Sequence, residues 1–292
     1  MILSVFPGID LLGRAFTEQG YNVVHGPDLL WGMGIEDFNA EQGVFEGVIC
    51  TPPCTEFSLL NRNPDRAEGL RLLEEGKRII EQAQPSWWLI ENVATVPDVK
   101  IKGYSWQRID INQGWYENVT RLRHIQFGYR LDLCESGIFL NIPRGKVLPG
   151  CDGCAVANDD RTFKELVRLQ GLPSDFDLPS FNVKGKKKAV GNGVPLVLGR
   201  ILAKEVKSVT DQASHICDVA GVKVVTGPGA KCESTVDKCD GAAVKNCDKP
   251  VKEKNVTDRD KKRCVMCERI VTGRAKTCST ACRKRLSRRG GC

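Results

Sequence analysis

The sequence contains no uninterrupted run of roughly 18 apolar residues, the length at which a segment becomes a candidate membrane-spanning helix. Its N-terminus also lacks the positively charged start and the small-residue cleavage site of a secretory signal peptide. These absences predict an intracellular protein of a reducing compartment, with no membrane partner. Because disulfides are rare in such compartments, the fourteen cysteines indicate catalysis or metal binding.

The positive charge of the chain is concentrated at one end. The net charge is +7, but residues 259–292 contain twelve Lys and Arg against Asp260 and Glu268, so that the remainder is slightly acidic. This asymmetry indicates a polyanionic partner held chiefly by the tail. The alternative is a solvated basic tail that serves solubility.

Short apolar segments alternate with amphipathic ones over residues 1–100, and more amphipathic stretches follow the less regular residues 101–160. We predict strands at Ile2–Phe6, Tyr21–Val24, Phe45–Ile49 and Trp87–Ile90. We predict helices at Ile9–Glu18, Pro64–Gln84 (with Leu70, Leu72, Ile79 and Ile80 on the buried side), Arg161–Gln170 and Val194–Val206. Strands separated by helices indicate an α/β fold with a mostly parallel, doubly wound sheet, in which ligands bind beyond the carboxyl ends of the strands.

Composition divides the chain into three parts. Residues 1–207 suffice for a catalytic domain with one core of about 200 residues. Residues 208–258 have no aromatic residue and no hydrophobic periodicity, which predicts a flexible linker. Residues 259–292 form a separate small unit. The linker cysteines match no familiar metal-site spacing: Cys217, Cys232, Cys239 and Cys247.

The third predicted strand ends at Thr51–Ser58, where Pro52 and Pro53 fix the backbone and present the thiol of Cys54 at the sheet edge. A thiolate that adds to C6 of cytosine makes C5 able to accept a methyl group, which is covalent catalysis by an activated cysteine. This chemistry also needs an acid at N3 of the base, and Glu91 follows the fourth strand. The apolar strand beside Glu91 favours a raised pKa. For a single Pro-Cys pair, a buried structural cysteine is the alternative.

Six motifs in a fixed order carry a resemblance to the DNA cytosine-5 methyltransferase family over residues 1–206, as a small, phage-like member. They are Phe6-Pro7-Gly8, Pro53-Cys54, Glu91-Asn92-Val93, Arg121-Leu122-Arg123, the segment from Arg161-Thr162-Phe163 through Arg168 to Pro173, and Gly191-Asn192-Gly193-Val194-Pro195. The resemblance implies a Rossmann-like fold dependent on S-adenosylmethionine. It also implies Cys54 as nucleophile, Glu91 as partner of N3, and Arg121 and Arg123 around a flipped base, with Arg123 at its O2. Without that resemblance, the two arginines would be interpreted as members of surface ion pairs.

The resemblance also implies a binding site for S-adenosylmethionine. Asp28, after the second strand, is the expected acceptor for the ribose hydroxyls. The full expected set is Phe6, Pro7, Gly8, Ile9, Asp28, Leu29, Ile35, Pro53, Asn192 and Val194.

The sequence departs from the family pattern at several positions. Asp10 and Leu11 stand where the family has glycines, Gly34 replaces an aspartate, and Thr55 and Val119 each replace a glutamine. None of these changes removes a group that does chemistry, so we expect an active enzyme. The alternative is an inactive relative that binds DNA.

The segment between the paired arginines and Arg161 is short. We assign residues 129–160 as a reduced target-recognition segment, too small for its own core, and expect a short, simple recognition sequence. Cys134, Cys151 and Cys154 could bind a metal together with His124, although a single Cys-x2-Cys is a weak signal.

The tail has the ligand count of a closed structural zinc site. Four thiolates lie in two pairs, and the second pair resembles that of a treble-clef-like zinc finger: Cys264, Cys267, Cys278 and Cys282. Because the segment has few apolar residues, bound Zn²⁺ would supply its folding energy. Its basic residues favour contact with duplex phosphates, the alternative being protein contact or stability.

We therefore expect a monomer that binds double-stranded DNA in the cytoplasm of a bacterial or phage-infected cell. Small size and the tail suggest an enzyme of a phage or mobile element, either a solitary methylase or one that guards DNA against restriction. An RNA or tRNA cytosine methyltransferase is the first alternative, since a tRNA-directed branch shares the same motifs.

Overall fold

The computed structural model describes residues 1–219. These residues form eight strands and five helices, joined by loops and three short 3-10 turns: β1 Ile2–Val5, α1 Leu11–Glu18, β2 Val23–His25, β3 Gly47–Cys50, α2 Arg66–Ala83, β4 Trp87–Asn92, β5 Gln107–Asn112, β6 Val119–Thr120, β7 Leu122–Tyr129, β8 Asp152–Gly153, α3 Phe163–Leu169, α4 Val183–Asn192 and α5 Leu196–Val219. Each strand and helix predicted from the sequence is present, with ends shifted by a few residues or, at the C-terminus of α5, by more.

The main sheet has six strands in the order β2-β1-β3-β4-β7-β5. Its first four strands are parallel, β7 is antiparallel to β4, and β5 is antiparallel to β7. The predicted α/β class with a mostly parallel sheet is therefore confirmed. Because the chain goes from β1 to β2 on one side and to β3 on the other, the β1/β3 boundary is a topological switch point, where a crevice forms beyond the strand ends.

Two cores lie on opposite faces of the sheet, and consecutive tryptophans of β4 enter one each. Trp87 stacks on Phe16 of α1 with ring centroids 5.5 Å apart, whereas Trp88 packs in the core on the α2 side. A Cβ atom at Gly47 or Gly128, on the strands beside β4, would overlap an indole ring. These glycines make room for the tryptophans, which fix β4 and the residues at its carboxyl end.

The strands β5 and β7 lie within residues 101–160, where the sequence is less regular. Their hydrophobic alternation is masked because β7 buries two polar side chains, His124 and Gln126. The Gln126 side chain accepts a hydrogen bond from Val99 N at 2.6 Å and donates to Pro97 O at 3.0 Å. Buried polar groups of this kind are satisfied by loop backbone, which a sequence pattern does not reveal.

Two sequence predictions for the helices need correction. Leu70, expected on the buried side of α2, is 45% exposed, because the buried positions are Gly69, Leu73 and Gly76, followed by Ile79 and Ile80. The helix α5 continues to Val219, past the predicted end at Val206 and into the predicted linker. The rest of the linker and the tail lie outside the described residues. Within residues 1–219, no helix has the length and apolar character needed to cross a membrane.

Candidate active site

The turn between β1 and α1 has an unusual backbone. Phe6, Gly8 and Asp10 all have φ near +50° (55°, 57° and 48°), a backbone region that residues other than glycine rarely adopt. The turn is held from both sides, since Phe6 N donates to Pro27 O at 3.1 Å and Thr51 Oγ1 donates to Phe6 O at 2.7 Å. Its conformation is therefore fixed by the loops after β2 and β3.

Asp10, one of the departures from the family pattern, has a structural position. Its buried carboxyl group caps α1 by accepting from Gly13 N at 3.0 Å, accepts from Ser4 Oγ at 2.8 Å, and lies 2.9 Å from Nε2 of His25. Burial raises the pKa of Asp10, and the contacts with Ser4 and His25 oppose that shift. Through Ser4 and His25, the side chain fastens the turn to β1 and β2.

Asp28 connects the loop after β2 to the same turn. Its carboxylate accepts hydrogen bonds from Gly8 N at 2.8 Å and from Leu30 N at 2.7 Å. Each carboxylate oxygen can still accept a further hydrogen bond, for example from a hydroxyl group. Nearby, Nε1 of Trp31 donates to Gly8 O at 2.7 Å, and its ring lies edge-on to Phe181 at 6.4 Å.

A pocket of about 340 Å³ opens at the switch point, above the ends of β1 and β3. This size is typical of small-molecule sites. The sequence-predicted residues that line it are Phe6, Pro7, Gly8, Ile9, Asp28, Pro53, Cys54, Glu91, Asn192 and Val194. Residues separated by more than a hundred positions therefore meet in one cavity.

Two residues expected to bind the cofactor do not line the pocket. Leu29 is 82% exposed, because the 3-10 turn over Leu29–Trp31 directs Leu30 to the pocket and Leu29 to solvent. Ile35 is buried in the core on the α2 side. The positions of these two side chains therefore do not support the expected contact with the cofactor.

One wall of the pocket, formed by α4 and the segment before it, was not predicted from the sequence. Phe181, Gly185, Lys188 and Ala189 line the pocket beside the predicted Asn192. One signal was available, because positions 185, 188, 189 and 192 share one face of a helix. That this face meets β1 and β3 depends on tertiary packing.

The pocket residues fit S-adenosylmethionine. Asp28 offers acceptors for ribose hydroxyls, and apolar side chains such as Ile9 and Val194 offer walls for an aromatic base. Cys54 and Glu91 line the same cavity, so a ligand bound there would lie beside both side chains.

The loop that carries Cys54 is anchored to strands on both sides. Thr51 N donates to Val5 O at 3.0 Å, and Asn92 Nδ2 donates to Pro52 O at 2.9 Å across a buried contact. Cys54 itself begins the 3-10 turn over Thr55–Phe57 and is partly buried. The thiol is therefore held at the carboxyl edge of the sheet, as the sequence predicts.

Glu91 and Arg123 form an ion pair at this edge. Nε of Arg123 lies 2.8 Å from Oε1 of Glu91, and their side chains are 13% and 9% exposed. The strand register explains the pairing: Glu91 lies opposite Ile125 in the antiparallel β4–β7 pair, and Arg123, two residues away, shares that face. In addition, Arg123 Nη1 donates to Leu122 O at 2.8 Å.

The electrostatics of Cys54 and Glu91 are coupled through the two arginines. Burial raises the pKa of Glu91, while Arg123 and Arg121 oppose the shift. Burial also raises the pKa of Cys54. The charge of Glu91 acts in the same direction, whereas the charges of Arg123 and Arg121 lower this pKa. Burial thus disfavours the charged forms of both groups, whereas the two arginines favour the thiolate of Cys54 and the carboxylate of Glu91.

Arg121 has a bracing role, because its side chain links separate backbone segments. Its guanidinium group is buried, donates from Nη1 to Ala155 O, and donates from Nη2 to Gly191 O and Gly193 O at 3.0 and 3.1 Å. Burial lowers the pKa of Arg121 to about 10, with the Arg123 charge acting in the same direction. Of the two arginines expected around a base, Arg123 pairs with Glu91, whereas Arg121 is engaged with backbone carbonyl groups.

The suggested metal site in the recognition segment is not assembled. Within residues 1–219, no group of three or more His, Cys, Asp or Glu side chains is arranged to hold a metal ion. Nδ1 of the buried His124 lies 2.9 Å from Asp110 Oδ1 instead. The four cysteines of the zinc prediction, Cys264, Cys267, Cys278 and Cys282, lie outside the described residues.

A solved structure shares this fold. The chain is similar to an E. coli protein described as a DNA modification methyltransferase encoded within a prophage, with 15% identity and a TM-score of 0.51 over 72% of this chain and 99% of the other. It is also similar to the Dnmt2 methyltransferase of S. pombe (13% identity, TM-score 0.49, 73% and 99% covered) and to the Entamoeba histolytica methyltransferase EhMeth (12%, 0.48, 71% and 97%). No protein-family model and no curated protein matches the sequence. At this identity the likeness concerns architecture, and residues 1–219 have the Rossmann-like methyltransferase fold.

Proposed function

We propose that the protein is a DNA cytosine-5 methyltransferase that transfers a methyl group from S-adenosylmethionine to C5 of a flipped cytosine. One observation carries the proposal. Cys54 and Glu91, the latter paired with Arg123, meet at the carboxyl edge of the sheet and line the same pocket as Asp28. A nucleophilic thiol, an acid and a cation beside a small-molecule pocket are what this reaction requires.

The residues would act in sequence on the base. The thiolate of Cys54 adds to C6 while protonated Glu91 donates a hydrogen bond to N3, which stabilises the charge that develops there. Arg123 orients Glu91 and contacts O2 of the base. The bound cofactor supplies the electrophilic methyl group that C5 accepts. Removal of the C5 proton by a base then allows the Cys54–C6 bond to break, which returns the thiolate.

The cofactor would be held by the first turn and by α4. Asp28 accepts hydrogen bonds from the ribose hydroxyls, and Phe6, Pro7, Gly8 and Ile9 contact the ligand from the β1 side. Pro53, Asn192 and Val194 complete the site, which is supported by their common position around the pocket.

We propose double-stranded DNA as the substrate and a monomer as the acting species. The charge of residues 259–292 supports a polyanion partner, and we propose that Cys264, Cys267, Cys278 and Cys282 bind a structural Zn²⁺ there. Comparing duplex binding by the full chain and by a chain ending at 258 tests the role of the tail. Unchanged affinity and unchanged salt dependence would contradict it.

The alternative substrate is RNA, and the compact recognition segment permits it. Full-length protein incubated with radiolabelled S-adenosylmethionine and either unmethylated duplex DNA or unmodified tRNA separates the two. Label in DNA at C5 of cytosine supports the proposal, whereas label in tRNA alone assigns the enzyme to RNA. Absence of label in both, with duplex binding that Cys54→Ala leaves unchanged, would identify a non-catalytic DNA-binding protein.

A further inference from the structure

The helix α4 presents one lysine to the pocket. Lys188 lies one turn before Asn192, and both line the cavity that contains Cys54 and Asp28. The neighbouring pocket residues on this helix, Gly185 and Ala189, are small. A long side chain among small ones can therefore extend along the wall toward a ligand.

The charges around the pocket make Lys188 distinctive. The charged residues that line it are Asp28, Glu91 and Lys188, so Lys188 is the lining cation. Lys186, on the same helix, is already engaged: its ammonium forms an ion pair with Asp177 and lies over the ring of Phe163. Within residues 1–219, the ammonium group of Lys188 forms no such ion pair, which leaves it available for a ligand.

The ligand proposed above has one anionic group, the carboxylate of its methionine end. Two carboxyl groups in the pocket, Asp28 and Glu91, repel that carboxylate wherever they are ionised and attract the ammonium and sulfonium groups of the ligand instead, so the carboxylate is expected beside the lining cation. The backbone N–H groups at the start of α1 are the other candidates, since Leu11 and Leu12 also line the pocket. That helix end, however, already carries the carboxyl group of its cap residue Asp10.

We infer that Lys188 binds the carboxylate of the methionine end of S-adenosylmethionine and sets the preference of the pocket for a ligand that carries it. The inference rests on the proposed function. It assigns the recognition of the amino-acid end of the cofactor to the wall formed by α4. The sequence motifs do not include Lys188.

The test compares two product analogues by isothermal titration calorimetry on the full chain. The first is S-adenosylhomocysteine, and the second is decarboxylated S-adenosylhomocysteine, which lacks only the carboxyl group. Lys188→Met should weaken binding of the first about fivefold to tenfold, the range of one partly exposed charge-assisted hydrogen bond, and leave binding of the second unchanged or stronger. Lys188→Arg should retain most of the preference for the carboxylate.

Lys184→Met is the matched control, since Lys184 lies on the same helix, is exposed and does not line the pocket. It should change neither affinity. Equal weakening of both analogues by Lys188→Met would overturn the inference, because it would indicate a general packing effect. An unchanged preference would also overturn it and assign the carboxylate to the start of α1. If the wild-type chain binds neither analogue, the proposed function itself fails, which is a distinct result.

Discussion

Arg123 reaches across from β7 to place its Nε 2.8 Å from Oε1 of Glu91 on β4, and both side chains are almost entirely buried beside the thiol of Cys54. The arginine lowers the pKa of the thiol and the glutamate raises it. Removing the charge of Arg123 should therefore make Cys54 less reactive, and removing the charge of Glu91 should make it more reactive.

Glu91→Gln should make the Cys54 thiol more acidic, because it removes the negative charge that raises the pKa of Cys54. At a fixed pH near neutrality, alkylation of Cys54 by iodoacetamide should be faster than in the wild type. Methyl transfer should nevertheless fall about 100-fold or more, since an amide can offer N3 a hydrogen bond but, unlike a carboxylic acid, cannot transfer a proton to it. Peptide mass spectrometry follows alkylation at Cys54 alone. Slower alkylation in this variant would contradict the assigned coupling.

Arg123→Met should have the reverse effect on the thiol. The positive charge that most strongly lowers the pKa of Cys54 is lost, so the thiolate fraction falls and alkylation at Cys54 slows. The pH at which alkylation is half-maximal should shift upward relative to the wild type. Arg108→Met, which alters a half-exposed ion pair with Asp98, is the control and should leave the profile unchanged.

Arg121→Met should destabilise the protein more than a surface arginine variant. The carbonyl groups of Ala155, Gly191 and Gly193 would lose a buried donor, at a cost of about 2–4 kcal/mol in the free energy of unfolding. Arg168→Met, whose side chain is 63% exposed, should cost less than about 1 kcal/mol. Urea denaturation followed by circular dichroism measures both. Equal stabilities of the two variants would contradict the bracing role of Arg121.

Gly13→Ala should disturb the first turn. A Cβ atom at position 13 would overlap the carboxyl group of Asp10, so the capping contact must shift, at a cost of about 1–3 kcal/mol. Because Asp10 fastens the turn that forms the pocket, affinity for S-adenosylhomocysteine should also fall. Gly153→Ala is the control, since a Cβ atom there meets nothing within 4 Å. A Gly13→Ala chain with wild-type stability would show that the turn does not depend on this cap.

The sequence predicts which residues meet at the sheet edge, because parallel strands end at one edge of a sheet. Residues that follow β1, β3 and β4 are then neighbours, whatever the distance between them in the chain, and so Cys54, Glu91 and the Phe6–Gly8 turn meet as expected. The motif containing Asn192 also falls in the pocket.

The remaining features depend on packing that no local pattern records. Leu30 rather than Leu29 faces the pocket because a 3-10 turn sets the direction of each side chain. Lys188 and Phe181 belong to a segment without strand or nucleophile signals, and only the docking of α4 over β1 and β3 gives them a place in the site. The strand β7 was missed because His124 and Gln126 interrupt its apolar alternation.

The central step of the proposed reaction is the formation of a covalent bond between Cys54 and C6 of cytosine. Full-length protein incubated with S-adenosylmethionine and duplex DNA containing 5-fluorocytosine tests it, since fluorine at C5 blocks the elimination that would release the enzyme. We predict a denaturation-resistant protein–DNA complex whose cross-linked peptide contains Cys54, and no such complex with Cys54→Ala. A cross-link through another residue, or an undiminished complex with Cys54→Ala, would contradict the assignment of Cys54 as the nucleophile.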